Sequence, residues 1–309
     1  MGSQVWVQLA LEKLSCSQKE LALQMGVSPT QITKWKNDEH ISFEMEDKFR
    51  TLTGIGSLYP EFVIWSGSLD NAKKWQSLNA EIADTALFAS ETGYDTAPLQ
   101  DELDLMCWHT FHTFREMGIS LPASFPPELE VFLANIGSDK DEDEIPSNAY
   151  SNTIREIFDS YIDIHGFFIA YIQELIDDER LNVLEVGMEM ESCLLELAAT
   201  KIKVAKEFAP QFSKFRYKTL QEYRKWIDTV KSAAIKTGTP LRAELSNLLV
   251  DNHDSLGFEA EAESLGVNER RAHPDVYLNE ILETARMLQR FIPAIAKKLG
   301  ITPEELDLD

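Results

Sequence analysis

Two serines, Ser17 and Ser28, constrain this chain more tightly than any other feature of its sequence. Each is followed three residues later by a side chain that can reach back: Glu20 after Ser17, and Gln31 after Ser28. At that spacing the serine oxygen accepts an orphan N–H of a first helical turn, while the Glu or Gln accepts the serine's own N–H. Each pair therefore predicts a helix start. Pro29 suits the first helical position of the second segment, where its missing N–H costs nothing. Gly26 supplies the left-handed residue that ends the first helix, and Val27 fills the angle between the two. Leu21, Ala22, Ile32 and Trp35 then fall on the facing sides, with Ala22 small where the helices come closest. The stretch Ser17 to Asp38 reads as two short helices joined by a tight turn.

In these residues the chain resembles the lambda-repressor-like (XRE-type) helix-turn-helix DNA-binding domains. The matching features are Ser17-Gln18, Glu20-Leu21-Ala22, Gly26-Val27-Ser28, and Ile32 three residues before Trp35. The resemblance spans residues 4–55. It implies that the second capped helix enters the major groove of double-stranded DNA with its early residues at base edges. Carried over by position, Thr30, Gln31 and Lys34 are the base-reading residues. Gln31 can pair with adenine, Lys34 can donate to guanine, and Thr30 can serve either. Pro29, on the same face, can offer only ring contact to a thymine methyl. Gln18, Lys19 and Lys36 are the phosphate contacts that the resemblance implies. The sequence departs from the family's habit at Lys36, where Glu is common, and at Asp38, where Gly is common.

Charge is distributed unevenly. Of 29 basic and 52 acidic residues, the first 60 positions hold six and seven, so a near-neutral head precedes a strongly acidic remainder. Phosphates repel such a remainder, which suits a body held away from DNA. The three cysteines, Cys16, Cys107 and Cys193, are too scattered for a disulfide framework, and a reducing, cytoplasmic setting is expected. Apolar runs such as 167–172 are far short of a membrane span. Met1-Gly2-Ser3 reads in part as an added leader.

Apolar spacing predicts an all-α fold: a small N-terminal helix-turn-helix domain followed by a larger, acidic, bundle-like helical body. The expected domains are 1–56, the DNA-binding head; 57–137, a helical connecting region; 138–148, an acidic loop or linker; and 149–309, a helical bundle for dimerisation, effector or partner binding. In the head, a helix from Gln4 to Leu14 is expected to turn Val5, Leu9 and Leu14 inward, and one from Ile41 to Leu52 to bury Phe43, Met45, Phe49 and Leu52. Beyond it, stripes are predicted through Trp75, Leu78, Ile82, Ala86 and Ala89, and through Leu103, Met106, Thr110 and Phe114. Pro122, Pro126 and Pro127 should interrupt regular helix. Further stripes follow through Ile154, Ile157, Tyr161, His165, Phe168, Ile172 and Leu175; through Val183, Val186, Met190, Leu194 and Leu197; through Leu220, Tyr223, Ile227, Val230 and Ala234; and through Leu241, Leu245 and Leu248. Finally, Leu278, Ile281, Ala285, Leu288, Ile292, Ile295 and Leu299 form a seam that either packs into the body or pairs two copies.

Cys107, His109, His112 and Glu116 share one predicted helix, and His112 with Glu116 could hold a cation only with ligands from elsewhere. An aromatic packing face is the expected reading. His165 is expected to be a core histidine satisfied by a neighbour, and His273-Pro274-Asp275, although similar to a co-chaperone J-domain signature, reads as a helix start. No catalytic motif, cofactor or metal site is expected. The sequence thus predicts a DNA-binding transcriptional regulator, a repressor working as a homodimer, with a protein or small-molecule effector at the acidic body. The alternatives are an interaction subunit of a toxin–antitoxin or phage-defence system, and a metal-dependent helical enzyme.

Overall fold

The computed structural model describes residues 2–136, 145–177, 194–237, 243–267 and 278–300. Among the described residues every regular element is a helix. The acidic run 138–144, the stripe through Val183, Val186 and Met190, and His273-Pro274-Asp275 lie outside them. The chain clusters into two compact units, one built from residues 1–90, 96–160 and 198–216, the other from 91–95, 161–197 and 217–309.

In the first unit, α1 (Ser3–Leu14), α2 (Gln18–Met25), α3 (Pro29–Lys36) and α4 (Phe43–Thr53) form the head. Its core is Trp6, Val7, Leu21, Ala22, Ile32, Trp35 and Phe49, each no more than 4% exposed. Trp6 stacks on Phe49 at 6.0 Å between centroids, and Trp35 meets Phe49 edge-on at 5.8 Å. Arg50 lies over Trp6 at 5.0 Å and donates to the carbonyls of Gly56 and Leu58, so it closes the head from within.

Three expectations about the head need correcting. α1 buries Trp6, Val7, Leu9 and Ala10, whereas Val5 and Leu14 are only half-buried. Phe43 is 86% exposed, because it is the first residue of α4 and the inward stripe begins later, at Phe49. Ser3 is structural: it opens α1, is buried, and its Oγ lies 2.9 Å from the Trp35 carbonyl and 2.6 Å from that of Glu39.

α1 also packs against α5 (Pro60–Trp65), which leads into α6 (Leu69–Ala89), α7 (Ala97–Asp101), α8 (Leu103–Glu116) and α9 (Pro127–Asn135). Trp75 of α6 is fully buried among Phe111, Phe125 and Tyr150, with centroids 4.7 to 5.7 Å away. Pro126 and Pro127 do not forbid helix here; Pro127 starts α9, the position proline tolerates.

The predicted stripe of α10 (Ala149–Tyr171) is buried at Ile154, Ile157, Tyr161, His165 and Phe168, and Phe158, Ile162, Ile164 and Phe167 are buried beside it. The buried face is wide, and a polar strip of Asn152, Arg155, Glu156, Asp159 and Asp163 stays half-buried or, at Glu156, exposed. The helix stops at Tyr171, and a separate short helix, Gln173–Asp177, follows. A further helix, His253–Ser264, escapes the apolar-stripe reading because small residues face inward: Gly257, Ala260 and Ala262 are buried with Leu256. Asp163 of α10 packs so closely on Gly257 that a Cβ there would collide with its carboxylate. Asp163 in turn bonds His253 Nδ1 at 2.7 Å.

His165, also in α10, is 3% exposed, but Nδ1 finds no hydrogen-bond partner. Burial alone lowers its pKa to about 4. In the unfolded chain the imidazole takes up a proton near pH 6.5, which the folded protein refuses until about pH 4. The neutral ring therefore contributes stability in full above pH 6.5, and that stability falls as pH drops from 6.5 toward 4. Wild type should lose about 2 kcal/mol more than His165→Phe between pH 7 and pH 5, measured by urea unfolding at each pH.

Candidate nucleic-acid interface

The two helix starts form as their spacing predicts, with one difference. At α2 the Ser17 Oγ accepts from the Glu20 N–H at 3.3 Å, and the Glu20 carboxylate accepts the Ser17 N–H at 2.7 Å. These bonds hold the Glu20 carboxyl below its ordinary pKa. At α3 the Ser28 Oγ accepts from the Gln31 N–H at 3.2 Å, and the Gln31 side chain makes no return bond. The Gln31 amide is left with its donors and acceptor available on a half-buried side chain.

The turn between the helices is held by paired backbone bonds. Val27 N–H reaches the Ala22 carbonyl at 2.9 Å and Gly26 N–H the Leu23 carbonyl at 3.2 Å, with Gly26 left-handed at φ +70°. The end of α3 repeats the arrangement: Glu39 N–H bonds Lys34 O at 3.1 Å, and Asp38 N–H bonds Trp35 O at 3.0 Å. Here Asp38 takes the left-handed conformation, φ +66°. An aspartate can visit that region where a bulkier side chain would not. The residue that departs from the family's glycine thus keeps the glycine's backbone geometry.

With both ends pinned and Ile32 and Trp35 buried, α3 presents Pro29, Thr30, Thr33 and Lys34 outward, all exposed, with Gln31 beside them. Thr30 and Lys34 are one turn apart, as are Gln31 and Lys34, so the three share a surface. Thr33 turns its hydroxyl back to the Pro29 carbonyl at 3.1 Å. At α2, Gln18 and Lys19 follow the Ser17 cap directly, and the first N–H groups of a helix are suited to a phosphate. Lys19 and Lys36 are exposed, and Gln18 is half-buried.

Glu39 is the residue that sequence spacing did not reveal. The left-handed turn at Asp38 brings its carboxylate to 3.3 Å from Lys34 Nζ, both side chains about half exposed. Five positions apart, the two are not helical neighbours, so only the turn brings them together.

The helix-turn-helix family model matches residues 7–45, from α1 to the start of α4. The segment is a helix-turn-helix of the XRE, lambda-repressor-like class. The match covers the head alone and leaves most of the chain outside it. No curated protein and no solved structure matches the chain.

Cys107 and His112 sit in packing environments. Cys107 is fully buried and its thiol is pushed well above the ordinary range by desolvation, first of all, and by Asp104. His112 stacks on Trp108 at 5.1 Å, within an aromatic face that includes Trp65. Among the described residues the ligand atoms that gather in a trio are those of Asp163, His253 and Asp254. No helix among the described residues is long and apolar enough to cross a membrane.

The head's stability should report this geometry. A Cβ at Gly26 meets no atom within 4 Å, so Gly26→Ala should cost about 1–2 kcal/mol through its left-handed backbone alone. Glu39→Gln should cost no more than about 1 kcal/mol, because an exposed ion pair contributes little. Urea unfolding monitored at the head's tryptophans separates the two.

Proposed function

We propose that this chain is a sequence-specific double-stranded DNA-binding transcriptional regulator that represses by occupying its operator as a homodimer. The observation that carries the reading is the pinned α3, whose Thr30, Thr33 and Lys34 are exposed beside Gln31 while Ile32 and Trp35 anchor its inner side. Thr30, Gln31 and Lys34 read base edges; Gln31 suits adenine and Lys34 suits guanine. Gln18, Lys19 and Lys36 hold phosphates and set the docking register without choosing a sequence. Lys34 must exchange Glu39 for a base, and so weak a surface pair yields readily.

In this proposal residues 1–56 form the DNA-binding domain, 57–137 connect, 138–148 link, and 149–309 carry dimerisation and the response to an effector. A dimer places two heads on half-sites roughly 34–36 Å apart, one turn of DNA. The acidic body, with a charge near −22 over residues 61–309, keeps non-specific DNA contact low. A cytoplasmic setting follows from that role.

Selection of bound duplexes from a random pool at physiological salt tests this. Wild type should enrich a paired half-site. Lys34→Ala and Gln31→Ala should each lose preference at one base position, a change of about 1–3 kcal/mol in discrimination. Lys19→Ala should weaken binding evenly across sequences and flatten the salt dependence by about one counterion. Enrichment of no duplex by the wild-type protein overturns the reading.

A further inference from the structure

The helix Leu278–Leu299 carries the most exposed apolar face among the described residues. Met287, Leu288, Phe291, Ile292, Ile295 and Leu299 are 47–68% exposed, and among residues 284–300 only Ala296 is buried. Of the two arrangements open to the seam, packing into the body is not the one these residues show. Six large side chains, each about half exposed, leave on the order of 500 Å² of apolar surface per copy, the size at which a patch marks an interaction site.

We propose that this face is the self-association surface of the protein, and that its occupant is the same helix of a second copy. Three observations select that partner. First, the exposed residues Ala285, Leu288, Ile292, Ile295 and Leu299 alternate spacings of three and four, the repeat by which two helices lying nearly side by side interdigitate. A second copy carries the same repeat at the same length. Second, the area is right: two such faces remove about 1,000 Å² or more from water, the threshold for a specific interface.

The third observation is charge. Residues 284–300 contain Arg286, Arg290, Lys297 and Lys298 and no acid. At 100° per residue Arg290 points 200° away from Ile292, and Arg286 lies a full turn before it on the same outer side. Lys297 lies about 200° from Ile295 and Lys298 about 60°, so three of the four cations point away from the seam and Lys298 flanks it. A basic amphipathic helix also suits an anionic lipid surface. The rest of this chain, with 25 basic against 52 acidic residues, would be repelled from one. Pro293 stands one position past Ile292, so its ring lies about 100° round from the seam. It limits the pair to a short packing rather than a long coiled coil.

The surface deepens the dimeric reading above and rests on it only for its consequence on DNA. The test is the mass of the full-length protein in solution, by sedimentation equilibrium across micromolar concentrations. Wild type and Arg290→Ala should be dimers, and Leu288→Glu/Ile295→Glu should be a monomer with an unchanged far-ultraviolet circular dichroism spectrum. A wild-type protein that stays monomeric overturns the proposal, because the face is then covered by its own chain or by nothing. Dimers that survive the double substitution overturn it as well. So does a monomer that co-sediments with phosphatidylglycerol vesicles, which would assign the face to lipid. Duplex selection with the double variant keeps the two readings apart. Loss of paired half-sites with single half-sites retained supports both. A monomeric variant alongside a wild type that selects no DNA leaves the surface standing and removes the operator.

Discussion

Trp35 is held from two directions, and the posture of the whole outer face of α3 depends on that. Its ring meets Phe49 of α4 edge-on, which fixes the roll of α3 about its axis. Its carbonyl lies within reach of both the Ser3 hydroxyl and the Asp38 N–H, which fixes where the helix stops. Roll and length together decide which side chains look outward. A change at either contact would move Thr30, Gln31 and Lys34 together, since they ride on one short rigid helix. That is why a buried tryptophan and an unremarkable serine at the chain's start matter to a surface neither of them touches.

The head was legible because its signals are local. Ser17, Glu20, Gly26 and Ser28 act on atoms within five residues of themselves, so their consequences follow from spacing alone. What stayed hidden depends on contacts made at a distance along the chain. Ser3 bonds backbone thirty-two and thirty-six residues away. Glu39 meets Lys34 only through a left-handed turn that an aspartate, rather than the usual glycine, adopts. The half-made cap at Ser28 was likewise invisible, since Ser-x-x-Gln permits the return bond without compelling it.

The body repeats the contrast. Stripes of large apolar residues on α6 and α8 were readable, and Trp75, Leu78, Ile82, Met106 and Phe114 are buried where the stripes put them. The helix His253–Ser264 was not readable, because Gly257, Ala260 and Ala262 contribute close approach rather than bulk. α10 buries its stripe and more besides. An apolar stripe can be counted, but the width of the buried face shows only as an excess of apolar residues beside the stripe, such as Phe158, Ile162 and Phe167. His165 sits in that helix as a neutral ring, held so by desolvation rather than by a hydrogen bond at Nδ1.

Arg50 is the only arginine among the first 60 residues, and its guanidinium faces Trp6 and the carbonyls of Gly56 and Leu58. Every cation the head can turn outward is therefore a lysine. A guanidinium is a flat fork that demands one alignment of its acceptors, whereas an ammonium is a compact charge on a flexible stem that accepts many. A head equipped in this way trades rigid registration for tolerance. In the proposed mode of binding, small differences in how a duplex is bent or twisted are absorbed by lysine stems, and strictness about sequence falls chiefly to the Gln31 amide.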